Sequence, residues 1–145
     1  MKRVMLKVAY DGTEYCGWQI QPNAVTIEGE LNKHLSSLLR EDITVIGASR
    51  TDSGVHALCN IAVFDTNARM DASKMALALN QRLPMDIRVQ ASCEVSPDFH
   101  PRHCNSKKTY EYRIYNADYE NPLTRRYAYF VYVPLDIDRM ARAAE

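Results

Sequence analysis

The chain has 145 residues, with 18 Lys and Arg against 18 Asp and Glu, and 46% of its positions are hydrophobic. That composition excludes a disordered chain and fits one globular domain, which at this size buries roughly two-thirds of its unfolded surface. A formal charge of zero excludes a uniformly basic nucleic-acid binder, and no run approaches the ~18 uncharged apolar residues of a membrane helix, so the protein is read as cytoplasmic with no membrane partner.

Residues 3–10 alternate, with Val4, Leu6, Val8 and Tyr10 on one face and Arg3, Met5, Lys7 and Ala9 on the other, which is strand periodicity. Asp11-Gly12 follows as a turn. Thr26 is placed to cap a helix whose apolar stripe is Ile27, Leu31, Leu35, Leu38 and Leu39. Ile43 to Ala48 predicts a second strand and Leu58 to Phe64 a third. Asp71 can cap a second helix with Met75, Leu79 and Leu83 facing inward, stopped by Pro84. Ile87, Val89, Ala91 and Cys93 alternate as a fourth strand.

The order β-α-β-β-α-β predicts an α+β, ferredoxin-like fold, an antiparallel sheet with both helices on one face and the other face free for a ligand. Tyr110–Tyr115 and Tyr127–Val133 are expected to add a C-terminal hairpin around Asn121-Pro122, with Tyr110, Tyr112 and Ile114 on one strand face and most of these aromatics in the core. Asp136 starts a further helix through Ile137, Met140 and Ala144, too short to be stable in isolation. Residues 1–145 are therefore expected to be the N-terminal half of a longer protein, with its C-terminal half absent from this chain.

Cys16, Cys59, Cys93 and Cys104 form no C-x-x-C pair, and the spacing of Cys93, His100, His103 and Cys104 suits no common zinc module. Buried free thiols and surface histidines are expected, with no metal and no disulfide. Charge is uneven along the chain. Residues 98–127 hold six bases against four acids, together with His100 and His103, and read as a solvated loop unless another feature points there.

The chemistry concentrates in Ser49-Arg50-Thr51-Asp52-Ser53-Gly54-Val55-His56-Ala57, between the second and third strands. In extended backbone, residues two apart point the same way, so Arg50 and Asp52 can share one side of this loop. A guanidinium beside a carboxylate keeps it ionised and oriented, and such a carboxylate can serve as nucleophile or base. Gly54 permits a backbone conformation or a close approach that a side chain would obstruct. The alternative is an Asp-Ser-Gly turn carrying a surface ion pair.

The longer string Arg50-Thr51-Asp52-Ser53-Gly54-Val55-His56 resembles the R-T-D-x-G-V-H signature of the TruA family of tRNA pseudouridine synthases. Tyr10-Asp11-Gly12-Thr13 with Tyr15, Gly17, Trp18 and Gln19 is similar to that family's opening Y-D-G-T-x-Y-x-G-W-Q, and Phe99-His100-Pro101-Arg102 resembles its F-H-A-R segment. Tyr110-Glu111-Tyr112-Arg113-Ile114-Tyr115-Asn116 matches its Y-x-Y-x-I-x-N strand, and Pro134-Leu135-Asp136 with Met140 and Ala143-Ala144 resembles the start of its next helix. Two positions depart from the pattern: Ser53 stands where many members have alanine, and Gly29 where many complete a capping box.

The resemblance implies isomerisation of uridine to pseudouridine on the 3′ side of the tRNA anticodon stem-loop, with no cofactor and with Asp52 as nucleophile. It also implies that Arg50 pairs with Asp52 and fills the stack vacated by the flipped nucleotide, the alternative being the ion pair only, and that Tyr110 lies against the target base. Arg102, Lys107, Lys108, Arg125 and Arg126 become a candidate phosphate track. His56 and Asp11 are expected to organise their own backbone, and Trp18 to pack. The implied partners are tRNA, a second copy in a homodimer and the C-terminal half of the same protein. This fragment alone is expected to be inactive. The alternative on the same scaffold is a non-catalytic RNA-binding module or assembly fragment.

Overall fold

A computed structural model describes residues 1–145, which divide into two compact units, Met1–Asn105 and Ser106–Glu145. The first unit contains β1 (Lys2–Tyr10), α1 (Ile27–Leu39), β2 (Ile46–Gly47), β3 (Ala57–Thr66), α2 (Ala72–Asn80) and β4 (Ile87–Val95). Its sheet runs β2-β3-β1-β4 with every pair antiparallel, the ferredoxin-like arrangement expected from the element order. Alternation in β1 places Val4, Leu6, Val8 and Tyr10 in the core against Ile27, Leu31 and Leu35 of α1 and Met75 and Leu79 of α2. The Thr26 hydroxyl accepts the Gly29 N–H at 3.2 Å and the Asp71 carboxylate accepts the Ser73 N–H at 2.8 Å, so both expected caps form. No helix is long and apolar enough to cross a membrane.

Three elements differ from their sequence expectation. β2 is confined to Ile46–Gly47 because the upstream N–H groups are already used: Ile43 donates to Ser36 Oγ at 2.9 Å and Val45 to Asn32 Oδ1 at 2.8 Å, both on α1. α2 ends at Asn80, four residues before Pro84, and the Asn80 amide then grips Val89 at both its N–H and its carbonyl, each at 2.8 Å. In β4 the register against β1 shifts at Gln90, where Lys7 faces Ala91 but Val8 faces Val89. One extra residue moves everything beyond it to the opposite face. Ala91 and Cys93 are therefore exposed rather than aligned with Ile87 and Val89. Ser92 turns toward α2, where its hydroxyl accepts the Ala76 N–H at 2.8 Å and donates to the Ala72 carbonyl at 2.6 Å.

All four cysteines are exposed, which corrects the expectation of buried thiols. The helix-free face of the sheet is also not open throughout. Arg3 grips Asp65 with two nitrogens, at 2.8 and 2.7 Å, and donates its third to the Phe99 carbonyl at 3.0 Å. Arg102 Nε donates to the Gly47 carbonyl at 2.9 Å, so residues 99–102 form a strap running from β1 to β2, with Pro101 buried in it. Along that strap the His100 and His103 rings sit 4.3 Å apart. Burial holds the His100 imidazole below its ordinary range, assisted by the positive charge of His103, Arg102 and Arg3.

The second unit contains β5 (Ile114–Asn116), β6 (Tyr129–Val131) and α3 (Ile137–Ala143). Strands form at both expected places, but they are three residues each and pair in parallel, so the expected hairpin is not what forms. Residues 117–128 make the connection, a dozen residues and long enough for the crossover that parallel pairing requires. Asn116 fastens the pair: Nδ2 donates to the Val131 and Val133 carbonyls at 2.7 and 2.9 Å, and Oδ1 accepts the Leu135 N–H at 3.3 Å. No residue of this unit is buried, and Tyr112, Tyr119, Tyr127, Tyr129 and Tyr132 are exposed, which overturns the expected aromatic core; Tyr110, expected to face a base instead, is exposed as well. Tyr110 and Tyr112 lie ahead of β5 rather than on a strand face.

Candidate active site

The loop between β2 and β3 is tied to the sheet at alternate residues. Asn60, on the core face of β3, accepts the Ser49 N–H with Oδ1 at 3.1 Å and donates Nδ2 to the Ser49 carbonyl at 3.0 Å. Tyr10, at the end of β1, places its hydroxyl 2.7 Å from Thr51 Oγ1. Between and after these anchors, Arg50 and Asp52 are exposed.

A second segment, residues 11–18, wraps the same loop. Trp18 N–H donates to the Thr51 carbonyl at 2.9 Å, and the Gly54 N–H and Ser53 hydroxyl both donate to the Tyr15 carbonyl, at 3.2 and 3.3 Å. The approach is close enough to require glycine. A Cβ on Gly12 would lie 2.1 Å from the Val55 carbonyl oxygen, and one on Gly17 would lie 2.6 Å from that of Thr51. Val55 N–H closes a turn onto the Asp52 carbonyl at 3.2 Å, with Gly54 at φ +77°, the positive φ that the third position of such a turn demands. The two sequence motifs thus interlock through backbone bonds.

Below the loop, Trp18 is fully buried with its ring against the Cα of Gly47, and its Nε1 has no hydrogen-bond partner, so the indole is held by packing. The Tyr15 hydroxyl donates to Asp86 at 2.6 Å. Burial, reinforced by that acceptor, pushes the Tyr15 phenol well above its ordinary range. His56 Nδ1 lies 3.0 Å from the Gly12 N–H and 3.1 Å from Asp11 Oδ1, so its tautomer decides whether it accepts from the first or donates to the second. Asp11 also accepts the Thr13 N–H at 3.0 Å, closing its own turn.

Arg50, Thr51, Asp52 and Ser53 line a cleft of about 380 Å³ together with Cys16, Gln19 and Gln21. That volume falls at the lower end of the roughly 300–1,000 Å³ of small-ligand sites. Arg50 and Asp52 share the cleft but form no ion pair, which leaves both charged groups available to a ligand. Of the other basic candidates, Arg102 is engaged through Nε with the sheet. Lys107, Lys108, Tyr110, Arg125 and Arg126 belong to the second unit, where all are exposed. Cys16, Gln21 and Asn60 did not stand out in sequence. Asn60 had a readable signal, an amide where the alternation of β3 calls for an apolar residue.

A family model described as tRNA pseudouridine synthase matches residues 7–104. The chain is 44% identical over 144 residues to the tRNA pseudouridine synthase A of Thermoanaerobacter pseudethanolicus, covering 99% of this chain and 59% of that protein. It is 46% identical over 144 residues to that of Bacteroides thetaiotaomicron, covering 99% of this chain and 53% of the relative. The protein of the same name from Caldicellulosiruptor bescii is 43% identical over 145 residues, covering 100% and 59%. The chain therefore spans little more than half the length of the curated relatives it matches.

Proposed function

Because the chain belongs to the tRNA pseudouridine synthase family, we propose that it carries the nucleophile of an enzyme that isomerises uridine to pseudouridine in tRNA, and that Asp52 is that nucleophile. The reaction breaks the bond between uracil N1 and ribose C1′, turns the base and joins C5 to C1′. The C5 proton is released and N1 gains one, so atoms balance without redox change or cofactor. The single observation that carries this reading is an exposed Asp52 carboxylate in a cleft of about 380 Å³, on a loop fixed by backbone bonds from a second motif.

Arg50 lines the same cleft and has no ion-pair partner, which supports a role in filling the stack that a flipped uridine leaves behind. Extrusion costs a few kcal/mol, and a planar cation stacks well enough to offset part of it. Tyr110 is 64% exposed, so its ring is available to lie against a base. Lys107, Lys108, Arg125 and Arg126 are assigned to the phosphate backbone, and Arg102 contributes through whichever guanidinium nitrogens the Gly47 bond leaves over. The substrate uridines are those on the 3′ side of the anticodon stem-loop. The working enzyme is a cytoplasmic homodimer in which residues 1–145 form the N-terminal half of each chain, completed by a C-terminal half.

The test uses the full-length protein and tRNA carrying tritium at uridine C5. Wild type releases tritium, and Asp52→Asn abolishes release while still binding tRNA. Release that survives Asp52→Asn contradicts the assigned nucleophile, and tRNA binding without release by wild type favours a non-catalytic RNA-binding module. Residues 1–145 alone are expected to release none.

A further inference from the structure

We propose that Asn60 and Tyr10 are positioning residues that aim Asp52, an inference that rests on the function proposed above. Asn60 is 3% exposed and faces the core opposite Val8, in a row continued by Ala62 and Phe64. An amide at such a position is costly unless its polar atoms are all engaged, and an apolar residue would serve the fold alone. The other two buried polar residues close structural ends, Thr26 as the α1 cap and Thr66 on Glu41 and the Ala68 N–H. Asn60 instead spends its amide on the loop, taking both backbone groups of Ser49 and extending Nδ2 to within 3.4 Å of the Tyr10 hydroxyl.

Tyr10 continues the chain to Thr51 at 2.7 Å. Two buried side chains from neighbouring strands thereby hold the residue just before Arg50 and the residue just before Asp52. With Ser49 and Thr51 bound to the sheet, Arg50 and Asp52 are left exposed. Those are the two charged residues that line the cleft. Neither Asn60 nor Tyr10 lines it, so both act through the loop rather than on the substrate.

In the full-length protein, Tyr10→Phe removes one oxygen, and Asn60→Leu replaces the amide with an apolar group of similar size. Tritium release should then show kcat reduced on the order of 10–100-fold, as a displaced reacting group produces. KM for tRNA should stay near its parent value and the proteins should remain folded, a split that general destabilisation does not produce. Thr51→Val should cost a similar factor, and Tyr10→Phe combined with Thr51→Val should cost no more than the worse single change, because Tyr10→Phe already removes the bond that Thr51→Val breaks, together with the Asn60 contact to the same hydroxyl. Unchanged kcat in Tyr10→Phe and Asn60→Leu, or losses that multiply in the double variant, would overturn the inference. Should Asn60→Leu fail to fold, Tyr10→Phe and its combination decide. Asp52→Asn separates the two levels: if it retains activity the functional reading fails, whereas its loss beside intact Tyr10→Phe and Asn60→Leu removes the positioning claim alone.

Discussion

Gly47→Ala tests the packing beneath the loop most directly. A Cβ at Gly47 would sit 2.4 Å from Trp18 Cε2, 2.5 Å from Cζ2 and 2.6 Å from Nε1. Carbon atoms in contact lie about 3.5–4.0 Å apart, so ring or strand must move by roughly 1 Å. Neither is free to do so. Trp18 is fully buried, and its backbone is bound to Thr51 at 2.9 Å and Glu28 at 3.0 Å. Gly47 is held in the ladder with Ala62 and accepts Arg102 Nε. Overpacking a rigid site costs about 1–3 kcal/mol, and immobility on both sides places this substitution in the upper half of that range. With a urea m-value of about 2 kcal/mol/M, the unfolding midpoint should fall by about 1 M. Trp18 is the only tryptophan, so its fluorescence reports both the midpoint and the displacement of the ring. Gly54→Ala is the control. Its Cβ meets nothing within 4 Å but its φ is +77°, so it should lose about 1–2 kcal/mol to backbone strain with the native emission unchanged. A Gly47→Ala protein with parental midpoint and parental emission would refute the account of the Trp18 seat.

Titration and backbone bonding supply three further expectations. The Tyr15 phenol is raised by burial and by Asp86, so the folded state keeps its proton after the unfolded chain has lost it near pH ~10. Its contribution is complete below that pH and disappears as pH climbs through the folded value; Tyr15→Phe should flatten the alkaline limb of the urea midpoint against pH, and an unaltered limb would count against it. Asp65 is lowered first by its hydrogen bonds from Arg3, with Arg3's charge assisting and burial opposing. Its stabilisation is present above the ordinary carboxylate value of about 3.9 and declines as pH falls through the lower folded value, modestly because the side chain is 37% exposed. Asp65→Asn should remove that part of the acid limb, and persistence of the full slope in the variant would be the contrary result. Ser92→Ala leaves the Ala76 N–H and Ala72 carbonyl without their bridging hydroxyl and should cost about 1 kcal/mol, with faster amide exchange at Ala76. Equal exchange rates in the two proteins would show that α2 closes the gap by itself.

Much of the candidate site was legible because its signals are local. Asp52, Arg50 and Gly54 stand within one short string, and the positive φ at Gly54 and the turn at Asp11 follow from residue types beside them. The interlocking of that string with residues 11–18 was not, since the bonds from Trp18 to Thr51 and from Gly54 to Tyr15 join segments more than thirty residues apart. The expected ion pair between Arg50 and Asp52 does not form, because sharing a side of the loop fixes direction and leaves separation open.

The same division runs through the fold. Alternation in β1, the stripes of α1 and α2 and their Thr26 and Asp71 caps are each written within a dozen residues, so periodicity alone determined them. Which backbone groups remain free to pair is decided by the elements packed beside them. Ser36 and Asn32 take the N–H groups that would have lengthened β2, and Gln90 bulges where β4 meets β1, which sends Ser92 into α2 and Cys93 to solvent. The chain's own residues specified its elements and its charged loop. Tertiary structure decided register and strand length, because a backbone N–H donated to a side chain of another element is lost to the strand ladder, and those side chains are brought up only by the packing of the fold.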